Sequence, residues 1–106
     1  KYFYNNKLFD DSKVPNIGWR PIIDNKESLR IWDDSILRGV VQNDQCYFVH
    51  SLYTQTSKID HTLSLSNYGG VTFSSTVQYD NIIGCQFHPE KSGDVGLKIL
   101  KNYINI

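Results

Sequence analysis

Two side chains near the C-terminus are the best placed in this sequence to move a proton. His88 and Glu90 lie in the run Gly84-Cys85-Gln86-Phe87-His88-Pro89-Glu90-Lys91-Ser92-Gly93. Residues two apart in extended backbone project to the same side. Pro89 fixes its own φ and biases His88 away from the helical region, which favours that spacing. A carboxylate beside an imidazole selects the tautomer whose other nitrogen accepts a proton, and it stabilises the imidazolium that forms. Such a pair is two-thirds of a nucleophile–base–orienter triad. Taken alone, a His-x-Glu pair at a strand end is more often structural than catalytic.

The other reactive side chains read more plainly. Cys46 and Cys85, the two cysteines, sit in apolar strand-like surroundings and read as small buried apolar groups. The sequence leaves open a disulfide between them. Neither has a second Cys or His at metal-ligand spacing, so no metal site and no cofactor are expected. His50 reads as a hydrogen-bonded histidine within a strand rather than a catalyst. His61, beside Asp60, reads as solvent-facing.

The elements that must position these groups are visible mainly in the second half. Residues 1–13 carry an Asn5-Asn6 turn signal and can hold a short hairpin. A compact Val14-Pro15-Asn16-Ile17-Gly18-Trp19 segment leads into a strand over 20–23, and 24–27 reads as a turn. Residues 34–39 form a short helical turn that Gly39 ends in the left-handed conformation. Residues 46–53 are β-branched and aromatic, and 62–66 and 71–79 alternate strictly, so all three read as strands. Tyr68-Gly69-Gly70 joins the latter two. Asp80-Asn81 forms a two-residue hairpin loop to a strand over 82–87. A final helix follows, capped by Ser92, with Asp94 in its first turn and Lys98 and Lys101 later. Val95, Ile99, Leu100 and Tyr103 give it one apolar stripe.

Bulk properties narrow the class. A length of 106 residues with 40% apolar content fits one small domain, and no repeat or linker divides it. Eleven basic residues balance eleven acidic ones, so no net field recruits nucleic acid or an anionic membrane. No apolar run approaches a membrane span, and Lys1 opens no signal peptide. The cysteine usage suits a reducing, cytoplasmic compartment. The chain opens on Lys1 and holds no Met, as expected of a fragment or a processed piece.

The text around His88 and Glu90 is more specific than the pair. Gln-Phe-His-Pro-Glu-Lys-Ser resembles the triad-completing motif of class I glutamine amidotransferases. Val-Pro-Asn-Ile-Gly-Trp and Tyr-Phe-Val-His-Ser resemble two marks of the imidazole glycerol phosphate synthase branch of that family. The three motifs occur in the family's order from Val14 onward.

This resemblance implies the α/β class: residues 1–106 as the C-terminal half of an amidotransferase domain. Its mixed, largely antiparallel strands would complete a flavodoxin-like sheet and be closed by the C-terminal helix. It implies a Cys-His-Glu hydrolase of the glutamine side-chain amide, with His88 as base and Glu90 as its orienting carboxylate. Ammonia would pass to a (β/α)8 barrel synthase subunit in histidine biosynthesis. Ser51 and Leu52 match the stretch whose backbone approaches glutamine, with Leu52 where the family usually has Tyr. Trp19, Tyr47 and Lys91 match positions at the surface that meets the barrel; read alone, they are a half-buried aromatic, a strand aromatic and a solvated charge.

The departures also matter. The Gly-x-Cys-x-Gly nucleophile elbow and the oxyanion loop are missing, so this chain by itself is expected to be inactive. The nucleophile would come from an absent N-terminal half. Asn16 replaces a His common in the family, and Arg20 stands where Asn usually follows. These changes leave room for a paralogue that feeds ammonia to the amidination of a bacterial surface sugar. A non-catalytic interaction module is the third reading.

Overall fold

The computed structural model describes residues 4–8 and 14–105. Its strands are β1 (Tyr4–Leu8), β2 (Asn16–Pro21), β3 (Ile23–Asp24), β4 (Gln45–His50), β5 (Leu52–Thr56), β6 (Thr62–Tyr68), β7 (Val71–Tyr79) and β8 (Ile82–Cys85), followed by helix α1 (Gly93–Ile104). Strands β1-β5-β7-β6-β3 form one sheet in that order, and β8 joins it on β7; β2 and β4 form a second, two-stranded sheet. Every pairing among the described residues is antiparallel. This agrees with the largely antiparallel strand group and terminal helix that the family resemblance implies.

The nine-residue β7 organises the larger sheet. One edge pairs along β6. The other is shared: β5 meets it at Thr54–Ser74, and β8 takes over from Thr76–Cys85 to Tyr79–Ile82. The β7–β8 hairpin turns at Asp80, whose φ of 54° is the positive value that Asp tolerates in a two-residue loop. Gly39 takes φ 83° at the end of its helical turn, as its position suggested.

Several elements differ from the sequence reading. The Asn5-Asn6 pair makes no turn: both residues lie within β1, opposite Gln55 and Thr54, while 1–3 and 9–13 lie outside the described residues. Within the segment 14–19, residues from Asn16 onward are already strand rather than its prelude, because β2 starts there, and the stretch 20–23 is split between β2 and β3. The expected strand 46–53 breaks at Ser51, and its two parts enter different sheets. The strand expected over 82–87 stops at Cys85, and the chain bends at Gln86 and Phe87.

Alternation in 62–66 did not sort inside from outside. Thr62, Ser64 and Ser66 are as buried as Leu63. Register shifts around Ser64 locally break the two-residue period. The hydroxyls satisfy one another: Thr62 with Ser74 at 2.8 Å, and Ser64 with Ser75 and Thr76 at 2.7 and 2.8 Å. Buried polar groups cost little once paired in this way.

The apolar core lies between the two sheets and α1. Phe48 sits at its centre, edge-on to Phe73 and Phe87 at 5.8 and 5.7 Å between ring centroids, an arrangement that aromatic quadrupoles favour. Ile22, Leu37, Cys46, Leu63 and Ile99 close around it. From α1, Ile99 is buried and Val95 half-buried, but Leu100 and Tyr103 of the expected stripe are 39% and 55% exposed. The inward position between Val95 and Ile99 belongs to Gly96. A Cβ there would lie 1.8 Å from the Pro89 carbonyl oxygen, so only glycine lets the helix approach that closely.

Candidate functional site

His88 follows the end of β8 with extended backbone (φ −98°, ψ 102°), and Pro89–Lys91 then wind one 3₁₀ turn. Pro89 at the first position of that turn supplies its fixed φ and forgoes an N–H that would have no partner. His88 and Glu90 therefore meet through a turn rather than through strand alternation. The imidazole Nδ1 lies 2.9 Å from Glu90 Oε2. A carboxylate only accepts, so Nδ1 carries the proton and donates it, leaving the Nε2 lone pair open. Among the described residues nothing hydrogen-bonds to Nε2. Both side chains are accessible, at 41% and 58%. The Glu90 carboxyl is held below its ordinary value, first by a backbone N–H and then by His88.

Ser92 sets the height of this turn. It was expected to cap α1, but its side chain makes no cap bond. Instead Oγ donates to the His88 carbonyl at 2.6 Å and accepts the Tyr47 N–H at 3.0 Å, with Ser92 only 1% exposed. The His88 N–H donates to the Tyr47 carbonyl at 2.9 Å. The turn is thereby fastened to the edge of β4 that faces away from β2.

The remaining expected site residues gather on neighbouring elements. Trp19 and Tyr47 are cross-strand partners in β2–β4, with their rings edge-on at 5.7 Å. Ile17 pairs with Val49 beside them. Ile17, Trp19 and Val49 are 52%, 49% and 39% exposed, which makes this sheet face an open apolar patch. Lys91 is exposed on the His88 turn itself. Ser51 is half-buried and Leu52 exposed at the corner between β4 and β5. Ile17 and Val49 were missed because their sequence patterns resemble those of any core strand.

His50 adjoins this corner. Its Nε2 meets Asn16 Nδ2 at 3.0 Å, and its Nδ1 meets the Leu52 carbonyl at 2.7 Å. Burial holds its pKa below the ordinary 6.5, opposed by the Leu52 carbonyl and reinforced by nearby His88. The reading of His50 as a bonded strand histidine agrees with these contacts. His61 does not face solvent freely, since its ring packs on Tyr79 at 4.7 Å.

Both cysteines are free thiols, and burial pushes each up to about 12. The thiolate is the nucleophilic form, so neither group is activated. A depression of about 190 Å³ at the fork where β5 and β8 share β7 is lined by Thr54, Ser74, Cys85 and Gln86 among others, and His88 is not in it. No group of His, Cys, Asp and Glu among the described residues is arranged to hold a metal ion. No helix among them is long and apolar enough to cross a membrane.

The family description Glutamine amidotransferase class-I matches residues 3–106, and the chain belongs to that family. Among curated proteins it is similar to three named imidazole glycerol phosphate synthase subunit HisH. The protein from Archaeoglobus fulgidus is 46% identical over 94 residues, covering 89% of this chain and 44% of the relative. That from Methanosarcina barkeri is 44% identical over 96 residues, with the same coverage. Legionella pneumophila (strain Lens) has one, HisH 1, that is 38% identical over 94 residues, again covering 89% and 44%. The chain thus spans less than half the length of these curated relatives.

Proposed function

We propose that residues 1–106 are the C-terminal half of a cytoplasmic glutaminase subunit of imidazole glycerol phosphate synthase. The observation that carries this reading is the 2.9 Å bond from His88 Nδ1 to Glu90, which leaves Nε2 open on an accessible turn. In the reaction, a Cys supplied by the N-terminal half gives its thiol proton to His88 Nε2. The thiolate attacks the side-chain amide carbon of glutamine. Collapse of the tetrahedral intermediate returns the proton from Nε2 to the departing nitrogen, releasing ammonia and leaving a glutamyl thioester. Water then attacks, again giving a proton to Nε2, and glutamate leaves as the thiol is restored. Glu90 holds the tautomer and stabilises the imidazolium in both steps.

Ser51 and Leu52 would present their backbone to glutamine. The patch of Trp19 and Tyr47, extended by Ile17 and Val49 and flanked by Lys91, would meet the (β/α)8 barrel subunit that receives the ammonia. An exposed apolar patch with aromatic residues is the kind of surface that protein partners cover. The names of the relatives favour this acceptor over a synthase of amidinated surface sugars. The free cysteines suit a reducing compartment.

Reading the gene upstream of Lys1 is the first test. A Gly-x-Cys-x-Gly elbow there supports the glutaminase, and a stop codon supports a non-catalytic module. Purified 106-residue chain should release no measurable glutamate from glutamine. Release that His88→Ala abolishes would instead place Cys46 or Cys85 in the nucleophile role.

A further inference from the structure

Two of the residues that depart from the family pattern, Asn16 and Arg20, bond to each other. Arg20 Nε donates to Asn16 Oδ1 at 3.0 Å, and its Nη2 donates to the Ile17 carbonyl at 3.1 Å. The guanidinium lies 4.8 Å from the centre of the Tyr68 ring. Gly18, at φ 136°, leaves room beside it: a Cβ there would lie 3.5 Å from Nη2, in a conformation other residues rarely adopt. Arg20 is therefore held on several sides.

From there each step dictates the next. A guanidinium only donates, so the Asn16 atom that Arg20 meets must be the oxygen. The Asn16 nitrogen is then the atom facing His50, and it too only donates. His50 Nε2 must accept, so the ring proton sits on Nδ1, where it donates to the Leu52 carbonyl at 2.7 Å. Asn16 is fully buried, leaving its amide no solvent to turn toward. The His50-to-Leu52 bond spans two residues, and a side chain that bonds backbone at that spacing competes with a continuous strand. Here the strand does break, at Ser51.

We propose that Asn16 and Arg20 are positioning residues that fix His50 as its Nδ1–H tautomer and, through it, the Leu52 carbonyl at the β4–β5 corner. The functional value of this relay rests on the reading above, in which that corner's backbone meets glutamine. The test therefore has two arms. Nitrogen-15 NMR of the chain reads the His50 tautomer above its ordinary pKa of 6.5, in the parent, in Asn16→Asp and in Arg20→Met. The parent should show one species, protonated at Nδ1. Asn16→Asp, which turns a donor into an acceptor, should place a proton on Nε2. Arg20→Met, which frees the amide to turn over, should give a mixture, and Arg20→Lys should partly restore the parent signature.

The second arm measures glutamine turnover by the full-length gene product carrying the same changes. Asn16→Asp should raise KM about three- to tenfold, the size of one net hydrogen bond. It should leave kcat close to parent, as expected when binding common to ground and transition states is lost. A parent that shows Nε2–H, or an Asn16→Asp variant with an unchanged tautomer, overturns the relay whatever the kinetics. A changed tautomer with unchanged KM overturns the positioning role and shows that the corner does not face glutamine. It would leave the His88–Glu90 assignment standing.

Discussion

Two histidines close to one another end in opposite chemistry. At the His88 corner the ring donates through Nδ1 to a carboxylate, is accessible, and leaves Nε2 open. At the His50 corner the ring also donates through Nδ1, but to a carbonyl, and its Nε2 is filled by an amide donor in a half-buried setting. A proton arriving at His88 Nε2 is stabilised by Glu90. A proton arriving at His50 Nε2 would face the Asn16 N–H group. What meets Nε2, nothing among the described residues at His88 and an amide donor at His50, rather than the ring or its tautomer, separates the proposed base from the proposed brace.

The largest effect should come from the first ring. In the full-length gene product, His88→Ala should lower kcat for glutamine hydrolysis by about 10²- to 10⁴-fold, the usual share of a general base. Glu90→Gln should lower kcat less than His88→Ala does. If His50→Gln matched the loss from His88→Ala, the division between base and brace would be wrong.

The next effect tests what holds the first corner in place. Gly96→Ala puts a Cβ against the Pro89 carbonyl. It should cost about 3 kcal/mol, the upper part of the overpacking range. Denaturant unfolding measures the loss, and NMR should show the His88 signals moving while those of His50 stay. An unchanged midpoint would mean that the turn is not pinned by the helix.

A smaller change should act on neither ring. If the proposed interface is right, Trp19→Ala should weaken binding to the proposed barrel subunit by about 2 kcal/mol, as truncation of a central interface aromatic does. The variant's own unfolding should move by less than about 0.5 kcal/mol, since the side chain is half exposed. Calorimetric titration and a thermal melt separate the two. The chain alone should also self-associate through such uncovered faces, as light scattering would show; a dilution-stable monomer with cooperative unfolding would make it an autonomous domain.

The smallest effect is a pH dependence from His50. Its folded pKa lies below the ordinary 6.5, so between those values the unfolded chain binds more protons than the folded one. The stability His50 contributes is fully present above about pH 6.5 and is lost as pH falls through the lower folded value. Asn16→Asp should shrink or reverse that slope in unfolding measured across the window.

What could be read without coordinates follows a physical line. Short-range backbone preferences were legible: Asp80 and Gly39 take positive φ where their residue types suggested. The His88–Glu90 encounter was legible because the surrounding motif is dense, although the turn that brings the two together was not. Contacts decided by a distant partner were not legible. Nothing local to Ser92 says that its hydroxyl will leave the helix cap for the Tyr47 N–H, 45 positions earlier. The alternation over 62–66 marked a strand but did not tell that Ser64 is buried against hydroxyls of β7. The His50 ring that meets the Leu52 carbonyl across the strand break at Ser51 is itself met by Asn16, again from far along the chain.

The shared edge of β7 has a consequence for amide exchange. β7 is bonded along β6 on one side and by β5 and then β8 on the other, so its N–H groups should open only with the whole domain. β8 pairs with β7 alone among the described residues. Its outward amides should exchange with solvent deuterium far sooner. A slow stripe thus borders a fast one, and any chain that extends the sheet at β8 should reveal itself by silencing the fast stripe.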